Sequence, residues 1–176
     1  EENVDVAATL HNLANVLRRR GRWVEAEALY REALGIQRKL LGNENIEVAR
    51  TLTDLGLQAA WLGRSDSKEL SREGLAIKRK LLGNDSLEVA LSLAVMVPMI
   101  AEQNVPEAEK MAREALEIQR KQLSEDDPDV AYSFYNLSHV LVHARKLPEA
   151  EVALREALAR WTKVLGEENQ TVASGL

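Results

Sequence analysis

The chain has 176 residues, enough to bury a core, and its 45% hydrophobic and 29% charged content places it among globular rather than disordered proteins. A net charge of −5 lacks the basic footprint expected of a nucleic-acid surface, and no run reaches the roughly 18 apolar residues a membrane helix needs. The absence of cysteine excludes disulfides and thiolate metal sites and fits a reducing, cytoplasmic setting, and the opening Glu1-Glu2-Asn3 is no signal peptide.

Aromatics make up only 4% of the chain, with nine glycines and four prolines, a balance that favours helices. The first helix is expected to start at Asn3, whose side chain can accept from a first-turn amide, with Asp5 at the positive end of the helix dipole. Leu10, Leu13, Ala14 and Leu17 form one apolar stripe, and Arg18-Arg19-Arg20 close the helix with cations. A second helix carries Ala26, Leu29, Tyr30, Ala33 and Leu34, includes Glu-Ala-Leu at 32–34, runs through Arg38-Lys39 and stops at Gly42.

The pattern then starts again. Val-Ala recurs at Val6-Ala7, Val48-Ala49, Val89-Ala90, Val130-Ala131 and Val172-Ala173, spaced 42, 41, 41 and 42 residues apart. Each is preceded by a capping residue: Asn3, Asn45, Ser86, Asp127 and Asn169. The second unit repeats the design with Glu-Gly-Leu at 73–75, Arg79-Lys80 and Gly83; the third with Glu-Ala-Leu at 114–116, Arg120-Lys121 and Ser124. The fourth opens with Pro128 at a first helical position and continues through Glu-Ala-Leu at 156–158 to Lys163 and Gly166. The boundaries are therefore about 3–44, 45–85, 86–126 and 127–168, with the start of a fifth unit at 169–176. Each unit is helix A, a turn, a longer helix B and a polar link, and small residues such as Ala14, Gly56, Gly74, Ser138 and Ala157 stand where the helices must approach closely. The expected fold is all-α: a right-handed solenoid of antiparallel A/B hairpins forming one array.

Units two and three depart from this plan. Each is one residue shorter between its Val-Ala and Glu-Ala/Gly-Leu marks, which places the deletion in the A-to-B turn. Ser71 and Ala112 replace Tyr30, and Pro98 inside helix A of the third unit should kink it or open a backbone carbonyl.

The spacing of Leu13-Ala14, Leu17, Gly21, Trp23, Ala26, Tyr30 and Ala33 resembles the signature of the tetratricopeptide repeat, and the longer period resembles the branch found in kinesin light chains and many bacterial signalling proteins. The resemblance covers essentially the whole chain. It implies a protein–protein interaction scaffold that holds a peptide or protein segment in a groove lined by the A helices, with no catalytic role. By register it places Asn12, Asn15, Arg19, Asp54, Trp61, Val95, Tyr132, Tyr135, Asn136 and His139 on the ligand face. Asparagines suit a peptide backbone because one amide both donates and accepts, and Trp61, Tyr132 and Tyr135 would supply pockets for side chains. The clamp that holds chaperone tails in this family maps to His11, Asn15, Asp54, Leu91 and Val95, of which only Asn15 matches, and Asp54 would repel a carboxylate.

Competing chemistry is weaker. His139 and His143 share a helix face at i, i+4, but no cysteine joins them and no glutamate lies between them. No GxSxG, P-loop or GxGxxG motif occurs, so neither a cofactor nor a metal is expected. The alternatives to a peptide groove are a structural module that associates end to end or through its convex face, and a regulatory segment of a larger signalling protein.

Overall fold

The structure, a computed structural model, describes residues 3–166. Eight helices and no strand occur among the described residues: α1 (Val4–Arg19), α2 (Trp23–Leu41), α3 (Ile46–Trp61), α4 (Ser67–Leu82), α5 (Leu87–Ile100), α6 (Val105–Gln122), α7 (Pro128–His143) and α8 (Leu147–Leu165). The chain divides into two compact units, Glu1–Asn84 and Asp85–Leu176. The first contains the hairpins α1/α2 and α3/α4; the second contains α5/α6 and α7/α8. The start of a fifth repeat, at Asn169 and Val172-Ala173, lies outside the described residues.

The expected caps form. The side chains of Asn3, Asn45, Ser86 and Asp127 accept from the amides of Val6, Glu47, Glu88 and Asp129, satisfying first-turn donors that have no carbonyl within the helix. Helices α2, α4 and α8 end at glycines with positive φ, whereas α6 ends at Leu123 with extended backbone, as its lack of glycine requires.

In the first unit, Ala14, Leu17, Ala26, Tyr30 and Leu34 pack with Val48, Leu52 and Leu55 of α3. Helices α3 and α4 cross closely because two glycines allow it. A Cβ on Gly56 would lie 2.1 Å from Ser71 Oγ, and one on Gly74 would lie 2.8 Å from both the Ala49 carbonyl and Thr53 Oγ1. The exchange of Tyr30 for Ser71 therefore belongs with Gly56: a small pair replaces a large residue, and the axes move together.

In the second unit, Val97, Ile100, Ala108, Ala112 and Leu116 join Val130, Phe134, Leu137, Leu141, Ala157 and Trp161 in one core.

The shortened spacing in repeats two and three does not shorten their turns. Residues 62–66 and 101–104 separate their helices, against 20–22 and 144–146 in repeats one and four. The helices give way instead: α4 starts only at Ser67, after Gly63 at φ 67°, and α5 ends at Ile100, two residues after Pro98. Proline withdraws residues from the helix that holds it, but Gly63 does not set the late start of α4, because Gly21 takes the same conformation in repeat one, where α2 resumes at Trp23.

Candidate functional site

The face expected to meet a ligand is built separately in each unit. In the first, α1 and α3 hold a polar cluster around Tyr30. This ring is fully buried, and its hydroxyl donates to Asn15 Oδ1 at 2.9 Å. The His11 ring stands edge-on to it at 5.4 Å, with Nδ1 3.0 Å from Thr51 Oγ1 and Nε2 3.3 Å from Asp54. Burial, then the nearby Asp54 carboxylate, raises the Tyr30 pKa above its usual 10.0, so the hydroxyl remains a donor. Asn15 and Asp54 are thus brought into one network, each already engaged within the protein. Asn12 and Arg19 are exposed, and neither side chain makes a hydrogen bond or ion pair among the described residues.

Trp61 is 54% exposed at the end of α3 and meets Trp23 edge to face at 5.8 Å. Gln58 Nε2 donates to the Trp23 carbonyl at 3.0 Å and pins the start of α2 beside it. The family register puts Trp61 on the expected ligand face, and Trp23, read as part of the signature, is the ring that it meets.

In the second unit, Tyr132, Tyr135, His139 and His143 fall at i, i+3, i+7 and i+11 of α7 and form one exposed stripe, with both tyrosines 40% exposed. Tyr135 leans on Trp161 of α8 at 5.6 Å, and the two histidine rings pack edge to face at 4.8 Å. Beside the stripe, α5 contributes half-buried Leu91 and Val95 and exposed Pro98.

Asn136 departs from the expected role. It is only 4% exposed, and its Nδ2 donates to the Ala94 carbonyl of α5 at 2.9 Å. The cause is Pro98. Lacking an N–H, it cannot bond to the carbonyl four residues earlier, and that carbonyl is Ala94's. The opening expected at Pro98 exists, and Asn136 fills it. The asparagine reserved for a peptide backbone serves a backbone inside the protein.

No group of three or more His, Asp or Glu among the described residues is arranged to hold a metal ion. No described helix is long and apolar enough to cross a membrane.

The family model Tetratricopeptide repeat matches residues 5–66 and 100–163, spanning helices of both units. The chain belongs to the tetratricopeptide repeat family. Solved tetratricopeptide structures agree with this fold. BtubC (BKLC) from P. vanneervenii is 22% identical, with a TM-score of 0.82 over 97% of this chain and 69% of that one. The nearly identical TPR-like repeats described as those of a kinesin light chain from Podosopora anserina are also 22% identical, with a TM-score of 0.82 over 99% of this chain and 84% of that one. No curated protein matches this sequence. Tetratricopeptide domains generally serve as protein–protein interaction scaffolds, typically without enzymatic activity.

Proposed function

We propose that this chain binds a peptide or extended protein segment along the exposed faces of its A helices and performs no catalysis itself. The observation that carries this reading is the stripe Tyr132–Tyr135–His139–His143 beside the apolar residues of α5. Large rings left in water on a rigid helix are disfavoured unless something covers them, and an aromatic anchor loses little conformational freedom on binding. Trp161 behind Tyr135 and the Asn136–Ala94 bond below it hold the stripe in place, which lowers the cost of ordering it on contact. In the first unit, Asn12, Arg19 and Trp61 supply a polar, cationic and aromatic counterpart. A chain without cysteine suits a reducing, cytoplasmic setting for such a role.

The test is capture from a random peptide library by the wild type and by Tyr132→Ala and Tyr135→Ala variants. Because both rings are 40% exposed, the variants should keep the wild-type circular dichroism, with Tyr135→Ala melting somewhat lower for the lost contact with Trp161. Binding should weaken about 10-fold or more for Tyr135→Ala, the scale of a central aromatic contact. Undiminished binding by both variants would remove the α7 stripe from the ligand face.

A further inference from the structure

The edge of the first unit where α1 and α3 end and α2 and α4 begin departs from the repeat plan. Trp23 opens α2, where α6 and α8 open with Val105 and Leu147. Trp61 closes α3, where α1 and α7 close with Arg19 and His143. Gln58 is fully buried at a position held by Val16, Met99 and Val140 in the other A helices. A buried amide is costly unless bonded, and this one uses its donor to hold the Trp23 carbonyl, fixing the start of α2 against α3. The two indoles nevertheless stay 42% and 54% exposed, and Val24 beside them is 63% exposed. Neither indole N–H has a partner among the described residues.

Cations crowd the same edge. Arg18, Arg19 and Arg20 close α1, Arg22 precedes Trp23, and Arg64 lies in the turn after Trp61. The acids there are matched: Glu25 by Arg22 at 2.5 Å, Glu27 by Arg64 at 3.1 Å, and Asp66 by Arg31 at 2.8 Å. In the first turn of α4, Lys68 and Glu69 offset one another in charge. Arg18, Arg19 and Arg20 are left unbalanced by any acid, and the negative end of the α1 dipole offsets only about half a charge of that excess. Arg19 and Arg20 are exposed, and their side chains bond nothing among the described residues. In a chain of net charge −5, this edge is positive.

Stacking of repeats does not cover these positions. In repeat four, Lys146, Leu147 and Pro148 stand where Arg22, Trp23 and Val24 stand in repeat one, and repeat three packs against that repeat. All three are exposed, Leu147 by 61%. Arg19 likewise stays exposed with repeat two packed against repeat one. Neighbouring repeats pack through the sides of their helices and leave the turns uncovered on both sides.

We propose that this edge docks on an anionic lipid surface. Trp23, Trp61 and Val24 enter the headgroup layer, while Arg19 and Arg20 pair with lipid phosphates and carboxylates. An indole suits that boundary because its ring is apolar and its N–H remains wet. A guanidinium suits it because its fork of donors matches phosphate and carboxylate oxygens. An anionic bilayer answers the excess cations and the exposed apolar groups together, which an acidic protein segment answers only in its charge. Two rings, one valine and a few arginines give weak, reversible attachment, not insertion. Trp61 lies at the margin shared with the peptide face, whereas Trp23, Val24 and Arg20 belong to this edge alone.

Co-sedimentation with vesicles tests this, using phosphatidylcholine alone and phosphatidylcholine mixed with phosphatidylserine. The wild type should bind the mixed vesicles, and more weakly at high salt. Its tryptophan emission should shift to the blue as Trp23 and Trp61 leave water, against a constant background from Trp161, which is buried already. Arg19→Glu with Arg20→Glu should lower binding about 10-fold or more. Val24→Asp should weaken binding and remove part of the blue shift without lowering the melting temperature, because an acid is favoured in the first turn of α2. Failure to bind, equal binding to uncharged vesicles, or binding without a blue shift overturns the proposal. So does equally tight binding to soluble polyglutamate through the same arginines, which assigns the edge to an acidic protein segment. Tyr135→Ala binds vesicles like the wild type, which separates failure here from failure of the peptide-binding reading.

Discussion

Asn136 shows how one missing atom relocates a side chain's role. Proline at 98 leaves the Ala94 carbonyl without its helical donor, and an amide from α7 replaces the N–H that position 98 lacks. Asn136→Ala would leave that carbonyl unpaired in the interior, at a cost of about 1–3 kcal/mol. The same substitution in a Pro98→Ala background should cost less, because an ordinary helical N–H can then take the carbonyl. A double-mutant cycle by urea unfolding measures the coupling, and additive effects would show that Pro98 and Asn136 act independently. Tyr30 is a parallel case: the family signature marks it as a packing residue, yet its hydroxyl ties Asn15 into a network that includes His11 and Asp54.

At the scale of the element, the α3/α4 hairpin depends on what is absent from its crossing. Gly56→Ala improves intrinsic helix propensity by about 1 kcal/mol. However, the new Cβ would meet Ser71 Oγ at 2.1 Å, with the Ser67 carbonyl and the Ser71 amide both at 2.9 Å. The backbone of α4 cannot swing away as a side chain can, so the net effect should be destabilisation of about 1–3 kcal/mol. Gly35→Ala supplies the contrast, since nothing lies within 4 Å of its Cβ position in the middle of α2. That variant should gain up to about 1 kcal/mol. Thermal melts of the two single variants decide the matter, and similar shifts of the same sign would mean that the crossing is looser than described.

For the molecule as a whole, acid should weaken the link between repeats three and four. The hydrogen bond from Lys146, followed by that from Arg113, holds the Glu109 carboxyl below its ordinary value of 4.5. A carboxylate depressed in the folded state contributes stability above its unfolded pKa, and that contribution is lost as pH falls through the folded value. Unfolding midpoints should therefore decline below about pH 4.5, and Glu109→Gln should flatten the decline while lowering stability at pH 7. Asp129 works in the opposite direction. Burial, then Asp127, raises its pKa above 3.8, so protonation relieves a penalty carried by the folded state. An unaltered pH profile in Glu109→Gln would remove that ion pair from the acid response.

The repeat plan, the helix caps at Asn3, Asn45, Ser86 and Asp127, and the family were legible in the sequence. Capping, dipole compensation and amphipathic periodicity act within a few neighbouring residues and leave a periodic trace. The shorter spacing of repeats two and three and the proline at 98 were legible as well, but their outcome was not. Whether a shortened spacing consumes turn or helix depends on how well two helices pack on either side of it. Tertiary packing alone decided that Asn136 points inward, that Trp23 supports Trp61, and that Trp161 stands behind Tyr135. Each depends on a group 26 to 42 residues away in sequence, on a second helix whose approach a register position does not specify. Register tells which way a residue leaves its own helix; what it meets is decided by the geometry of the next one.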